Sequence, residues 1–218
     1  MLKLEDSYRH KGQRRDLVNV IRKKGIKDEA VLNAINSVPR HFFFDSALHS
    51  HAYEDKAFPI GEGQTISQPY TVAFQTELLE IKHGDKILEI GTGSGYQAAI
   101  LFLLGAEVHT IEYQPKLYER TKRFLPRLGV NINFYQGDGS KGLPHKAPFD
   151  KIIVTAGAPV VPNELLKQLK INGSLVIPVG DRQTQKMMKL TKISDKKIIQ
   201  EEYEDFAFVP LLGLDGWK

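Results

Sequence analysis

The spacing of apolar residues changes along the chain and divides it into two parts. Over the first 80 residues apolar positions recur every three or four residues, the pattern of helices that bury one face. From residue 86 onward, short continuous apolar runs alternate with helical stretches, which is typical of a parallel sheet buried on both faces. The pattern predicts helices over residues 16–24, 29–38, 70–81, 98–104, 115–128 and 162–169. It predicts strands over residues 87–90, 108–111, 132–135, 151–155 and 174–179.

This alternation of strands and helices predicts an α/β fold with a Rossmann-like, doubly wound and mostly parallel sheet. Glycine and proline punctuate residues 57–69, which we predict to be a loop. Toward the end of the chain, the pattern predicts an edge pair over residues 186–191 and 198–202 and an extended segment over 206–212. We expect one domain over residues 1–218, with an N-terminal helical cap to about residue 75, a core over about 76–180 and edge strands and a tail over about 181–218.

Three glycines at alternate positions, Gly91, Gly93 and Gly95, separate the first core strand from the next helix. A strand, a glycine turn and a helix form the first crossover of a nucleotide-binding fold, where a ligand lies against bare backbone. The dinucleotide fingerprint is G-x-G-x-x-G, but Tyr96 occupies its last position here. Glu89, two residues before the first glycine, would repel a pyrophosphate and attract the cationic groups of S-adenosylmethionine. A generic Rossmann turn is the alternative interpretation.

Two further acidic residues follow later strands. Glu112 ends the second core strand, roughly twenty residues past the glycines, where a carboxylate accepts hydrogen bonds from ribose hydroxyls. Asp138 follows the third core strand and faces the same edge of the sheet, where it can accept from an adenine amino group. Alone, Asp138 would be an ordinary turn residue. Together with Glu89, these positions favour S-adenosylmethionine as the ligand.

The composition narrows the class of protein. The chain has 218 residues, no cysteine and a formal net charge of +4. Without cysteine it has neither a disulfide framework nor a thiolate zinc site, which fits a reducing cytoplasm. The N-terminus lacks the apolar core of a secretory signal, and no segment reaches the length of a membrane span. We therefore expect a cytoplasmic protein that does not contact membranes.

Basic and histidine residues each have a functional and an ordinary interpretation. A basic cluster near the N-terminus could bind nucleic acid, although such residues more often cover a solvated helix face. The cluster comprises Arg9, Lys11, Arg14, Arg15, Arg22, Lys23 and Lys24. His49 and His51 stand one residue apart, but no third ligand is evident at the spacing of a metal site. We expect no metal.

Several runs, in order, closely resemble protein-L-isoaspartate O-methyltransferases. They are residues 61–73, 88–97, 137–139, 149–156, 173–180 and 208–211, preceded by 38–42 and 52–55. The resemblance extends from about Arg14 to Leu211. The glycine run is shared by many methyltransferases, whereas residues 65–70, Thr-Ile-Ser-Gln-Pro-Tyr, are far more specific to this family.

The resemblance implies a class I fold that uses S-adenosylmethionine and leaves S-adenosylhomocysteine, with no metal. The methyl acceptor would be the free α-carboxylate of an L-isoaspartyl residue in a damaged protein or peptide. The resulting ester cyclises to a succinimide, and hydrolysis returns part of the material to aspartate. Isoaspartyl proteins are then the expected partners, and we expect a monomer.

The resemblance also implies roles for individual residues. Ser67 matches the active-site position of the family. No G-x-S-x-G elbow surrounds it, so we expect its hydroxyl to donate to the substrate carboxylate or to fix the loop. Val209, Pro210 and Leu211 match the tail beside the substrate backbone. The expected cofactor-binding residues are Thr65, Ile66, Gln68, Glu89, Gly91, Thr92, Gly93, Ser94, Gly95, Glu112, Asp138 and Gly139.

Two other functions could use the same core. One is a methyltransferase that acts on tRNA or another nucleic acid, which the early basic cluster would support. The chain shows no N-P-P-Y-type motif and no added RNA-binding domain, so a nucleic-acid substrate is not favoured. The other is a non-catalytic S-adenosylmethionine-binding module, against which the intact loop around Ser67 argues.

Overall fold

The computed structural model describes residues 5–217. Its helices are α1 (Tyr8–Lys23), α2 (Glu29–Ser37), α3 (Pro69–Leu79), α4 (Tyr96–Leu103), α5 (Pro115–Phe124) and α6 (Asn163–Lys167). Its strands are β1 (Phe58–Gly61), β2 (Gln64–Ile66), β3 (Lys86–Ile90), β4 (Glu107–Glu112), β5 (Asn133–Gln136), β6 (Phe149–Val154), β7 (Leu169–Gly180), β8 (Gln185–Ser194) and β9 (Lys197–Phe206). Short 3-10 helices cover Arg40–Phe43, Ser46–His51, Leu125–Leu128, Gly139–Lys141 and Pro144–Lys146.

A seven-stranded sheet, in the order β5-β4-β3-β6-β7-β8-β9, forms the centre of the fold. The first five strands in that order are parallel, and β8 and β9 add an antiparallel edge. The chain leaves β3 toward β4 on one side and reaches β6 on the other. The carboxyl end of β3 is therefore the topological switch point, where open α/β sheets bind their ligands. The predicted mostly parallel, doubly wound sheet is confirmed.

Side chains of alternate strand residues enter two separate hydrophobic clusters, one on each face of the sheet. Ile87 and Ile153 belong to the first cluster, whereas their neighbours Leu88 and Ile152 belong to the second. The first cluster also contains the buried residues of the cap, among them Leu17, Ile21, Val31, Leu32 and Ile35. The cap therefore shares its core with one face of the sheet.

The first helix begins eight residues earlier than the apolar spacing predicts. Ser7 is its N-cap: Ser7 Oγ accepts from the backbone N–H of His10, and His10 Nδ1 accepts from the backbone N–H of Ser7, both at 3.3 Å. This reciprocal pair is a capping box, in which His10 replaces the usual glutamate or glutamine. The prediction failed because the first turns carry no regular apolar face, and local capping starts the helix instead.

Several other predicted elements also differ from the structure. The predicted helix over 162–169 ends at Lys167, and the strand predicted over 174–179 begins at Leu169. The predicted loop over residues 57–69 contains a hairpin of β1 and β2, in which Gly61, Glu62 and Gly63 turn the chain with positive φ angles of 90°, 52° and 68°. The predicted helix over 115–128 ends at Phe124 and continues as a 3-10 turn that contains Pro126. The predicted edge pair is present and longer. Beyond Phe206 the chain is extended and carries only isolated bridges.

Within residues 5–217, each helix is too short or too polar to cross a bilayer. The expectation that no secretory signal is present concerns residues 1–6, of which 1–4 lie outside the described residues.

Candidate active site

A cleft that is open to solvent lies at the carboxyl edge of the parallel strands. The predicted site residues that line it are Thr65, Ile66, Ser67, Gly91, Thr92, Gly93, Ser94, Glu112, Gly139, Val209, Pro210 and Leu211. The fold thus brings together the glycine loop, the Ser67 loop and the tail, which are far apart in the sequence. Gln68, Glu89, Gly95 and Asp138 do not line the cleft.

Other lining residues escaped the sequence analysis. Tyr113 and Gln114 directly follow Glu112, and Tyr96 and Gln97 directly follow the glycine run, so their positions beside motifs were the available signal. Thr155 directly follows β6, and the sequence pattern places it only in a strand.

The three glycines of the loop serve different purposes. A Cβ on Gly91 would lie 2.5 Å from Thr155 Oγ1, and one on Gly95 would lie 2.7 Å from the methyl group of Thr121. These two glycines allow the loop to pack against β6 and α5. Gly93, with φ 53°, would meet only Ile60, at 3.5 Å. Gly91 and Gly93 both line the cleft, so the loop presents bare backbone there.

Glu112 is buried at the end of β4 and ties the glycine loop to that strand. Its Oε2 accepts from the backbone N–H of Gly93 at 2.8 Å, and its Oε1 accepts from that of Gln114 at 2.9 Å. Each carboxylate oxygen can accept more than one hydrogen bond, so both still have acceptor capacity toward the cleft. The position fits the ribose-binding role predicted for it.

Glu89 lies beneath the cleft and is fully buried in β3. Thr110 Oγ1 donates to its Oε2 at 2.5 Å, and the hydroxyls of Thr110 and Thr92 are 2.6 Å apart. Burial, reinforced by the charge of Glu112, raises the pKa of Glu89 to about 8. The carboxyl group therefore reaches the cleft through two threonine hydroxyls, and a direct contact with a cofactor stays a prediction.

The carboxylate of Asp138 is engaged by the chain itself. Its Oδ1 accepts from the backbone N–H and the hydroxyl of Ser140, at 3.0 and 2.7 Å. Its Oδ2 accepts from the backbone N–H of Leu214 at 2.8 Å. Asp138 thus caps the turn after β5 and holds the C-terminal tail, while its neighbour Gly139 lines the cleft. An additional bond to an adenine amino group stays a prediction.

The Ser67 loop is held from the cap. Arg40 Nη2 donates to the carbonyl of Ser67 at 2.8 Å. The side chain of Gln68 donates to the backbone carbonyl and to Oδ2 of Asp55, each at 3.1 Å, and Asp55 Oδ1 accepts from the backbone N–H of Tyr70 at 2.8 Å. Gln68 therefore supports the loop from behind, which explains why it does not line the cleft.

The tail lies along the residues that follow β6. The N–H of Gly157 donates to the carbonyl of Val209, and the N–H of Leu211 donates to the carbonyl of Gly157, both at 2.8 Å. Trp217 closes the turn by donating its backbone N–H to the carbonyl of Leu211 at 2.7 Å. In extended chain, the carbonyl of Pro210 points to the opposite edge, away from Gly157. The pairing with Gly157 therefore does not use the carbonyl of Pro210, a residue that lines the cleft.

Three of the seven residues in the early basic cluster form ion pairs with acidic side chains. Arg14 pairs with Asp6 at 3.0 Å, Lys24 pairs with Asp55 at 2.6 Å, and Arg22 pairs with Glu29. These pairs leave little uncompensated positive charge for a polyanion at those three positions.

One group of potential metal ligands comes together within residues 5–217: Asp6, His10 and His41. Arg14 already donates to both carboxylate oxygens of Asp6. The ring nitrogens of His41 contact the hydroxyl of Tyr53 and the carbonyl of Glu5. These ligand atoms are therefore already used in hydrogen bonds.

Comparison with known proteins identifies the family. The profile of the family described as Protein-L-isoaspartate(D-aspartate) O-methyltransferase (PCMT) matches residues 12–216. A protein-L-isoaspartate O-methyltransferase of Cytophaga hutchinsonii is 60% identical over 215 residues, covering 99% of this chain and 97% of that protein. One of Christiangramia forsetii is 59% identical over 210 residues, covering 96% of this chain and 98% of that protein.

Solved structures of similar fold support the same family. One described as a protein-L-isoaspartate O-methyltransferase has a TM-score of 0.83 and 31% identity, covering 93% of this chain and 66% of that chain. Another, described as a beta-aspartate methyltransferase of Plasmodium falciparum in complex with S-adenosyl-L-homocysteine, has a TM-score of 0.77 and 26% identity, covering 91% and 98%. The predicted class I methyltransferase fold is confirmed. The chain belongs to the protein-L-isoaspartate(D-aspartate) O-methyltransferase family.

Proposed function

We propose that this chain transfers a methyl group from S-adenosylmethionine to the free α-carboxylate of L-isoaspartyl residues in damaged proteins and peptides. A carboxylate oxygen gains the methyl group, and S-adenosylhomocysteine remains. The observation that carries the proposal is the meeting of the Ser67 loop, the glycine loop and the Val209–Leu211 tail in one cleft. Membership of the family supports the same reaction.

The groups that line the cleft fit S-adenosylmethionine. The glycine loop presents backbone at Gly93, and Glu112 keeps acceptor capacity for ribose hydroxyls. Glu112 also supplies negative charge near a cationic ligand. The S-adenosyl-L-homocysteine held by the Plasmodium falciparum relative supports the assignment. When bound, S-adenosylmethionine supplies a methyl group on a positively charged sulfur, which is a good leaving group.

The acceptor needs no general base, because a carboxylate is already ionised at neutral pH. Accordingly, histidine and lysine are absent from the described residues that line the cleft. The task of the protein is to align the acceptor oxygen with the methyl donor. Alignment of this kind can supply on the order of 7 to 11 kcal/mol.

We assign the acceptor side of the cleft to the Ser67 loop and the tail. The hydroxyl of Ser67 donates to the substrate carboxylate and fixes its orientation. The carbonyl of Pro210 accepts from a backbone N–H of the substrate. Because such a contact uses only main chain, it tolerates many sequences around the isoaspartyl residue.

We further infer that the chain works as a cytoplasmic monomer on proteins rather than on nucleic acid. The lack of cysteine fits a reducing compartment. The pairing of Arg14, Arg22 and Lys24 with acidic residues weakens the case for a nucleic-acid partner.

One assay tests the function directly. The protein is incubated with methyl-labelled S-adenosylmethionine and two peptides that differ only in an aspartyl or isoaspartyl linkage. We expect base-labile label on the isoaspartyl peptide alone. Label in tRNA, or in neither peptide, would overturn the proposal.

A further inference from the structure

The acceptor side of the cleft has two components, and different parts of the fold hold them in place. The Ser67 loop is bound by residues of the cap. The tail, whose residues 209–211 line the cleft, carries only isolated bridges and belongs to no strand. The position of the tail therefore depends on the few groups that bind it.

The tail leaves the central sheet at Gln185. At the end of β9, Phe206 pairs with Gln185, the first residue of β8. Two residues later, the backbone N–H of Phe208 donates to Oε1 of the same glutamine at 2.8 Å. The pairing with Gly157 begins only at Val209. The side chain of Gln185 is thus the group that binds the tail between the sheet and Gly157.

The amide of Gln185 is itself held on its other sides. Its side chain is buried, and Nε2 donates to the backbone carbonyl of Asp181. A Cβ on Gly157 would lie 2.7 Å from Gln185 Cδ, so the amide packs directly against the residue with which the tail pairs. Gln185 therefore joins the turn before β8, the tail and the partner of the tail.

The turn between β7 and β8 contacts the tail at its other end as well. Asp181 Oδ1 accepts from the backbone N–H of Thr184 at 2.8 Å, which stabilises the turn. In the same turn, the guanidinium of Arg182 lies over the ring of Trp217, whose backbone N–H binds Leu211. The position of this turn is thus transmitted to both ends of the segment that lines the cleft.

Resting on the proposed function, we propose that Gln185 is a positioning residue for the acceptor peptide. It does not line the cleft. By binding Phe208, it holds the tail where the carbonyl of Pro210 accepts from the substrate backbone. The cofactor side does not depend on Gln185, because the glycine loop is held by Glu112 and the central strands.

The decisive variant is Gln185→Met, which keeps a long unbranched side chain and removes both hydrogen bonds of the amide. We expect the KM for the isoaspartyl peptide to rise by about tenfold, since the tail is no longer held at Phe208. The kcat should stay within about threefold, and affinity for S-adenosylhomocysteine should not change. A purely structural role predicts lower thermal stability with an unchanged KM. Gln183→Met, at an exposed position of the same turn, is the matched control.

A conservative variant separates the two bonds of the amide. In Gln185→Glu, the carboxyl group still accepts from the N–H of Phe208 but, when ionised, cannot donate to Asp181. Its KM should therefore lie closer to that of the unmodified protein than to that of Gln185→Met. If circular dichroism shows that Gln185→Met does not fold, Gln185→Asn replaces it, because its amide is one methylene too short to bridge Asp181 and Phe208.

The link to the substrate backbone is tested with peptides that are N-methylated, one at a time, at the amides flanking the isoaspartyl residue. Methylation of the amide that donates to Pro210 should raise the KM of the unmodified protein by about tenfold. In Gln185→Met the same methylation should change the KM by about twofold or less, because two changes that break one contact do not add.

The outcomes separate the two proposals. If the unmodified protein does not methylate the isoaspartyl peptide, the proposed function fails. If it does, but Gln185→Met keeps its KM or Gln183→Met shows an equal rise, the role of Gln185 is refuted. Equal effects of N-methylation in the unmodified protein and in Gln185→Met, or none in either, would also refute it.

Discussion

Around the glycine loop, the cleft is built from the ends of adjacent strands of the central sheet, whereas around Ser67 it is built from a loop that residues of the cap hold in place. In the cofactor half, Gly91 to Gly95 and Glu112 sit at the ends of adjacent strands and bond to each other. In the acceptor half, Ser67 and Gln68 are held by Arg40 and Asp55 of the cap. The sheet thus positions the cofactor half, while the position of the acceptor half depends on how the cap packs. The two halves should respond differently to mutation.

The largest effect is expected in the cofactor half, at Glu112. Glu112→Ala removes the acceptor for the backbone N–H groups of Gly93 and Gln114 together with the proposed ribose acceptor. We expect affinity for S-adenosylhomocysteine to fall by at least about a hundredfold, as measured by calorimetry. Glu112→Gln should restore little of this affinity. Its amide NH2 group would face a backbone N–H, and two donors cannot form a hydrogen bond.

Glu119→Ala is the matched control, since Glu119 is exposed on α5 and pairs only with Arg123 in the described structure. An unchanged affinity in Glu112→Ala would show that the cofactor half does not hold the ribose in this way.

The next prediction concerns Glu89, whose ionisation should make the stability of the fold depend on pH. Its pKa is about 8 in the folded protein, against a usual 4.5. A raised pKa means that its contribution to stability is fully present below pH 4.5 and is lost as the pH rises toward 8. Relative to Glu89→Gln, the free energy of unfolding should therefore fall between pH 5 and 8, by up to about 1.4 kcal/mol per pH unit. Denaturant titrations across this range measure it, and parallel curves for the two proteins would contradict it.

The smallest effect is expected at Ser67, in the acceptor half. Ser67→Ala removes a hydroxyl that we assign to the substrate carboxylate, so turnover should fall by about tenfold. Its backbone carbonyl, which accepts from Arg40, is unchanged, so the loop keeps its anchor. Affinity for S-adenosylhomocysteine should stay within about twofold. The reverse pattern, with weaker cofactor binding and normal turnover, would move Ser67 out of the acceptor half.

The difference between the two halves also explains why the sequence predicts the cofactor half of the cleft better than the acceptor half. The strands, the glycine loop and Glu112 follow from local patterns, because strand ends of a parallel sheet meet at one edge. Gln68 donates to Asp55, and Asp138 accepts from the backbone of Leu214. These contacts join loops that lie outside the sheet, and no strand or helix pattern in the sequence specifies how such loops meet. Ser67 was found only through the resemblance to a family.

Two other features were not predicted from the sequence, the β1–β2 hairpin and the contacts of Arg40. The β1–β2 hairpin was hidden because its strands have only four and three residues, and the first contains Pro59. Arg40 belongs to one of the runs that resemble the family, but its bonds to the carbonyls of Ala52 and Ser67 depend on how the cap folds onto the loop, which the sequence pattern does not specify.

The position of Trp217 has a practical consequence. It is the only tryptophan in the chain. Its indole donates to the carbonyl of Gly157 at 3.0 Å, and the guanidinium of Arg182 lies over its ring at 5.3 Å. The intrinsic fluorescence therefore comes, at its long-wavelength edge, from a single chromophore located on the tail beside the cleft. Rapid-mixing experiments can follow ligand entry at this place without attaching a dye.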